Sequence, residues 1–447
     1  MLKRKIYQEL VNWKKESNGK TALLIEGARR VGKSTITREF GANEYKSYIV
    51  IDFSMKNKRI ISLFEEGFDD KDLFFAELSA VVNTTFYIRN TLIIFDEVQK
   101  YPHARELIKH FVEDGRYDYI ETGSLISIKK NIKDITIPSE EQKITLHPFD
   151  FEEFMWALYD NGEQQFNFIR ECYTKQKRVG VNHDKFMKDF RIYMIVGGMP
   201  QAVNEYISSK DFRKVDSIKQ NIISLYKDDM RKLPKISSEK VLDIYNQIPS
   251  QLSNPNKKFN ITSMGKNAKT RNFDTTFTWL EEAKLINQFF ATSVPNIAFA
   301  FTLDYNKRKV FINDTGLLVT LALGQKIIME DEIYNKLLFD KLHINEGMIA
   351  ENVVAQQIAS SNHEQIFYYN LDKEENLRPV EIDFLLRIGS KLSPLETKSS
   401  AYTEHSSLDK IRKKFSIHIG KSYIIYDRDY MVKDEIIHLP IYMVGLL

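Results

Sequence analysis

Short apolar runs separated by amphipathic stretches set the rhythm of the first 150 residues. ALLIE (22–26), YKSYIVIDFS (45–54) and TLIIFDE (91–97) are hydrophobic segments of strand length, the pattern of strands buried on both faces. Residues 33–40, 71–86 and 104–114 place apolar side chains at helical spacing, and YDYIETGS (117–124) supplies a fourth strand. Strands alternating with helices predict a parallel sheet. From about 150 to 235 the period is helical throughout, as in FEEFMWALY and KFMKDFRIYMIV, with Gly197, Gly198 and Pro200 breaking one helix at a hinge or a plain loop. Residues 236–305 change character, with helical stretches followed by strand-like FFATS and IAFAFTLD. The last part reads as a helix (346–359), strands IFYYN, VEIDFLLRI and LSPLETKSS (392–400), a helix near 406–415 and the strand SYIIYD (422–427).

A chain of 447 residues is too long for one core, so two to four compact units are expected. Lys and Arg (64) nearly cancel Asp and Glu (61), giving +3, so any nucleic-acid contact is confined to a local patch. No stretch is long and apolar enough to span a bilayer, and no apolar run follows the basic N-terminus. The single Cys172 permits neither an internal disulfide nor a cysteine-based metal cluster. A soluble, cytoplasmic protein is the expectation.

The strand at 22–26 leads directly into GARRVGKST, residues 27–35, which fits G-x-x-x-x-G-K-[ST]. Glycines at 27 and 32 let the backbone close around phosphate oxygens, and the helix that follows points its positive end at the same anion. Gly27, Ala28, Arg29, Arg30, Val31, Gly32, Lys33, Ser34 and Thr35 are therefore the expected nucleotide cradle, with Lys33 on the β and γ phosphates and Ser34 on Mg²⁺. The acids that end TLIIFDE complete the pair of motifs: Asp96 holds Mg²⁺ and Glu97 orients the attacking water. ATP and Mg²⁺ are the expected ligands.

The C-terminal third carries a second constellation. Asp383 lies in one strand and Glu396-Thr397-Lys398 in the next, a D…E-x-K spacing. Alternate residues of a strand share a face, so Glu396 and Lys398 project together while Asp383 approaches from the neighbouring strand. Asp383 and Glu396 are candidate Mg²⁺ ligands, Lys398 a candidate for positioning the nucleophile, and Glu351 a less specific addition. The alternative is a salt-bridged surface on a domain that does not cleave.

Together with ETGS, LHPFDFEEF (146–154) and VGGMPQAV (196–203), these motifs make the chain resemble, nearly end to end, a prokaryotic family of AAA+ ATPases with a C-terminal PD-(D/E)XK nuclease-like domain. The resemblance implies an α/β fold in four parts: a P-loop ATPase domain (1–150), a helical lid (151–235), a winged-helix-like module (236–305) and a nuclease-like domain (306–447, core about 345–447). It puts a γ-phosphate sensor at Thr122 or Ser124, and Ser124 is taken as the nucleotide contact. Lys266, Lys269 and Arg271 are the candidate phosphate contacts of the winged-helix-like module. Between 125 and 145 the chain has lysines (Lys129, Lys130, Lys133, Lys143) and no arginine, which speaks against a closed ring with an arginine finger; Arg170 and Arg191, in the lid, are the alternatives. Two functions fit: an ATPase whose cycle controls Mg²⁺-dependent cleavage of DNA or RNA, and an ATP-driven switch whose last domain recognises protein or nucleic acid without cutting it. A metabolic kinase fits less well, because Glu97 beside Asp96 suits activation of water.

Overall fold

The computed structural model describes residues 2–65, 70–123, 139–254, 257–265, 269–295, 302–324, 346–361, 363, 366–371, 380–398 and 405–447. They form two compact units, one over 3–147 with 282–284 and the other over 148–281 with 285–447.

In the first unit β1 (Ala22–Glu26), β2 (Ser47–Asp52), β3 (Thr91–Asp96), β4 (Asp118–Thr122) and β5 (Glu141–Thr145) make a parallel sheet in the order β2-β3-β4-β1-β5. The two central motif strands, β1 and β3, are buried along their whole length, as continuous apolar runs require. β4 lies between them and pairs with both, so the ends of all three strands come to one edge. A cluster of aromatic rings packs one side of the sheet: Phe53, Phe64, Phe74, Phe95 and Phe111 meet edge to face or tilted, with centroids 5.5–6.0 Å apart. β5 has no strong apolar pattern. It is fixed instead by Arg105, whose guanidinium makes two 2.8 Å bonds to Glu141 with both side chains buried.

The second unit begins with helices, among them Phe151–Leu158, His183–Val196, Pro200–Ser209 and Phe212–Arg231. It continues into β6 (Ile286–Thr292), β7 (Leu303–Ile312), β8 (Ile366–Leu371), β9 (Val380–Ile388), β10 (Lys391–Thr397), β11 (Ser422–Tyr426), β12 (Met431–Lys433) and β13 (Ile436–Pro440). These strands form one mixed sheet, β12-β13-β11-β10-β9-β8-β6-β7. Residue 305, the expected domain boundary, lies inside β7, and the hairpin β6–β7 is joined to the C-terminal strands through the parallel pair β6–β8. The expected wing is thus the edge of a larger sheet.

The Gly197-Gly198 pair is a buried loop between the helices His183–Val196 and Pro200–Ser209. Gly197 has φ 81°, and a Cβ on Gly198 would stand 2.2 Å from the Phe149 carbonyl oxygen. Asp314 caps the helix Thr315–Leu323 at the Leu317 amide (2.9 Å) while its other oxygen accepts from the Gly198 amide at 2.6 Å. Lys219, fully buried, donates to the Ile195 and Gly316 carbonyls at 2.8 and 3.3 Å, so the motif is a packed polar junction. Among the described residues no helix is long and apolar enough to cross a membrane.

Candidate nucleotide site

The P-loop leaves β1 and enters the helix Lys33–Glu44. Gly32 sits at φ 103°, and a Cβ on Gly27 would meet the Leu146 carbonyl oxygen at 2.5 Å, which is why the motif needs glycine at both places. Arg30 also takes a left-handed backbone, φ 71°, leaving its side chain and that of Arg29 exposed at the outer face of the loop. Ala28 and Val31 are buried beneath the loop, and Thr35 is exposed on the first helical turn.

Lys33 folds back onto its own loop, with Nζ donating to the carbonyls of Gly27 (2.9 Å) and Ala28 (3.0 Å). Burial pulls its ammonium down to about 8, against the raising pull of Glu97 and Asp96. Ser34 Oγ donates to Asp96 Oδ1 at 2.8 Å, and Thr122 Oγ1 from the end of β4 donates to the same oxygen. Arg38 comes within 4.0 Å of Asp96 Oδ2 from one turn further along the helix. Glu97 has φ 56°, which turns the chain at the end of β3, and its carboxylate accepts from Gln99 Nε2.

The structure therefore brings Lys33, Ser34, Asp96, Glu97 and Thr122 together. Ser124 and Lys129, Lys130 and Lys133 lie outside the described residues, and Thr122 is directed at Asp96. Gln99 and Arg38 were missed. Gln99 follows the acid pair after one residue, Val98, in DEVQ, but a buried glutamine has no spacing rule to mark it, and Arg38 is one of many surface arginines. Arg170, an alternative for the arginine role, is engaged by Asn167 (2.5 Å) and Glu152 in the second unit.

Mg²⁺ is implied by this motif pair, and the donor set suits it. A hydroxyl and a carboxylate already share a hydrogen bond at the loop, both are hard oxygen ligands, and Asp96 is buried.

In the second unit Asp383 and Glu396 sit side by side on the antiparallel pair β9–β10, next to the registered pair Leu395–Phe384. Lys398 Nζ is 3.0 Å from Glu396, and Asp383 Oδ2 accepts from the Thr397 amide at 2.9 Å. The spacing argument thus finds its three residues adjacent. Mg²⁺ does not suit them as they stand, because a residue absent from the motif intervenes. Lys309 on β7, 1% exposed, places Nζ 3.3 Å from Asp383 Oδ1, 2.9 Å from Glu381 Oε1 and 3.8 Å from Glu351 Oε2. Among the described residues no group of three or more His, Cys, Asp and Glu is arranged to hold a metal ion. Lys269 and Arg271 are exposed in and beside the turn Thr270–Asn272, ahead of the helix Asp274–Glu282 rather than on it; Lys266 lies outside the described residues.

Residues 19–155 match the model of an AAA domain. Residues 187–326 and 346–443 match two domains of unknown function, DUF8612 and DUF4143. No curated protein matches the chain. Among solved structures it is similar to a Walker-type ATPase of Pyrococcus abyssi, with 14% identity and TM-score 0.44 over 72% of this chain and 96% of that one. It is also similar to Cdc6p from Pyrobaculum aerophilum (12%, TM-score 0.23, 77% and 97%). A third is the signal-transduction ATPase of Pyrococcus horikoshii with a tetratricopeptide repeat sensor (14%, TM-score 0.28, 81% and 49%). Likeness this distant assigns neither activity nor partner.

Proposed function

Taking residues 19–155 as the AAA domain they match, we propose that this chain is an ATP-driven switch that binds ATP with Mg²⁺ at the P-loop and hydrolyses it. The second unit is then the part that meets a protein or nucleic-acid partner. The observation that carries the reading is the convergence of Ser34 and Thr122 on one oxygen of Asp96, with Glu97 held next to it.

The loop amides and the N-terminus of the helix Lys33–Glu44 bind the phosphates. Lys33 leaves the carbonyls of Gly27 and Ala28 for the β and γ oxygens, so its charge is exchanged from a weak internal partner to a strong anionic one. Ser34 and Asp96 would hold Mg²⁺, which when bound neutralises charge on the phosphates. Glu97 orients the attacking water and accepts its proton. Gln99, as a positioning residue, fixes the carboxylate that does so. Thr122 orients Asp96 and joins the end of β4 to the site. Exposed Lys269 and Arg271 support a phosphate-bearing partner for the second unit.

Calorimetric titration with ATP and Mg²⁺ tests the assignment. Lys33→Ala is expected to weaken binding at least about a hundredfold, the loss of a charge-assisted contact to two phosphates. Unchanged affinity in that variant would remove the P-loop from the account.

A further inference from the structure

We propose that Lys309 is a built-in cation at the centre of the Glu351, Glu381 and Asp383 cluster, so that the C-terminal domain works without a divalent metal, and that removing this one ammonium converts the cluster into a divalent-cation site. The inference does not depend on the ATP reading, since every group involved belongs to the second unit.

The three carboxylates come from two elements, Glu351 from the helix Glu346–Ala359 and Glu381 and Asp383 from β9, and they share one ammonium. Carboxylates crowded out of water are paired with positive charge or take up a proton. Here that charge comes from the chain. Glu351 Oε2 is buried, receives no hydrogen bond among the described residues, and stands 3.8 Å from Lys309 Nζ. Further lysines and one amide stand beside these carboxylates and Glu396. Glu351 is bonded to Lys257, Glu381 stands 4.0 Å from Lys258, Asp383 Oδ2 takes the Thr397 amide, and Glu396 faces Lys398 at 3.0 Å.

Four carboxylates and four lysines thus balance, whereas a site that holds a dication keeps an excess of negative charge. Lys309 is anchored through its backbone. It lies in a strand, bridges Lys258 through the backbone, and has Nζ 5.2 Å from the ring of the fully buried Tyr368. A metal ion would have to enter beside a buried ammonium, and like charges at that separation repel strongly.

The test is Mn²⁺ binding by the full chain without nucleotide, followed by electron paramagnetic resonance, for wild type, Asp383→Asn, Lys309→Met and Lys309→Met with Asp383→Asn. The expected result is that wild type binds no more Mn²⁺ than Asp383→Asn, while Lys309→Met gains one ion per chain and loses it again when Asp383 is also changed. Mn²⁺ bound by wild type and lost in Asp383→Asn would overturn the proposal, and this comparison stands even if Lys309→Met does not fold. A folded Lys309→Met that gains no ion would overturn the claim that the cluster is a masked cation site. ATP turnover in the same samples reports separately on the P-loop.

Discussion

In the proposed function Lys33 is charged when it meets phosphate, whereas burial brings its ammonium to about 8 in the protein without nucleotide. Triphosphate stabilises the protonated form, so above about pH 8 binding must take up a proton, and affinity falls by up to about tenfold per pH unit. Titration of a fluorescent ATP analogue between pH 7 and 9.5 is expected to show this bend in wild type and none in Lys33→Met. The same shift bears on stability. The unfolded chain keeps this proton to about its ordinary 10.5 and the folded chain only to about 8, so the unfolded state binds more protons in that window. The group's contribution therefore favours folding increasingly as pH rises from about 8 to 10.5. Gln99 offers a second residue-scale prediction. Gln99→Ala leaves ATP affinity and thermal midpoint near wild type but lowers kcat about tenfold, roughly 1.4 kcal/mol of lost positioning. A fall in affinity with unchanged kcat would make the glutamine merely structural. The P-loop was legible as a motif because its nine residues are consecutive, from Gly27 to Thr35. Gln99, Arg38 and Lys309 were not, because each matters through a partner that no spacing rule names.

Glycine at 198 matters through the element it lets pass. The helix His183–Val196 ends there, and the Phe149 backbone and Asp314 close around the turn with no room for a side chain. Gly198→Ala must displace backbone in a buried polar junction and is expected to destabilise the second unit by about 3 kcal/mol or more. Denaturant unfolding measures this, and ATP binding to the first unit gives an independent check on intact protein. In the first unit, β5 depends on the buried Arg105–Glu141 pair. Arg105→Ala leaves a buried carboxylate near Glu121, whose own carboxyl burial already pushes well up, and is expected to cost about 3–5 kcal/mol. Arg105→Met with Glu141→Leu should cost less, because neither charge is then left alone. At this scale the central strands were legible as unbroken apolar runs. β5, β12 and β13 were not, the first because its pairing rests on an ion pair rather than on hydrophobic pattern.

Across the whole molecule, the first unit could be read almost motif by motif, while the second could be read only in pieces. Its helices and the strands carrying Asp383 and Glu396 follow from periodicity. The incorporation of the 286–312 hairpin into the C-terminal sheet does not, since the parallel pair β6–β8 joins residues more than seventy positions apart. The lysine that changes the meaning of the acidic motif arrives by the same long-range route, 74 residues before Asp383. The central claim is nonetheless tested in the first unit alone, by phosphate release from ATP with wild type and Glu97→Gln at saturating nucleotide. Turnover by wild type, with at least about a hundredfold loss in a Glu97→Gln protein that still binds ATP, is the result the account predicts; normal turnover by Glu97→Gln, or none by a wild type that binds ATP, would contradict it.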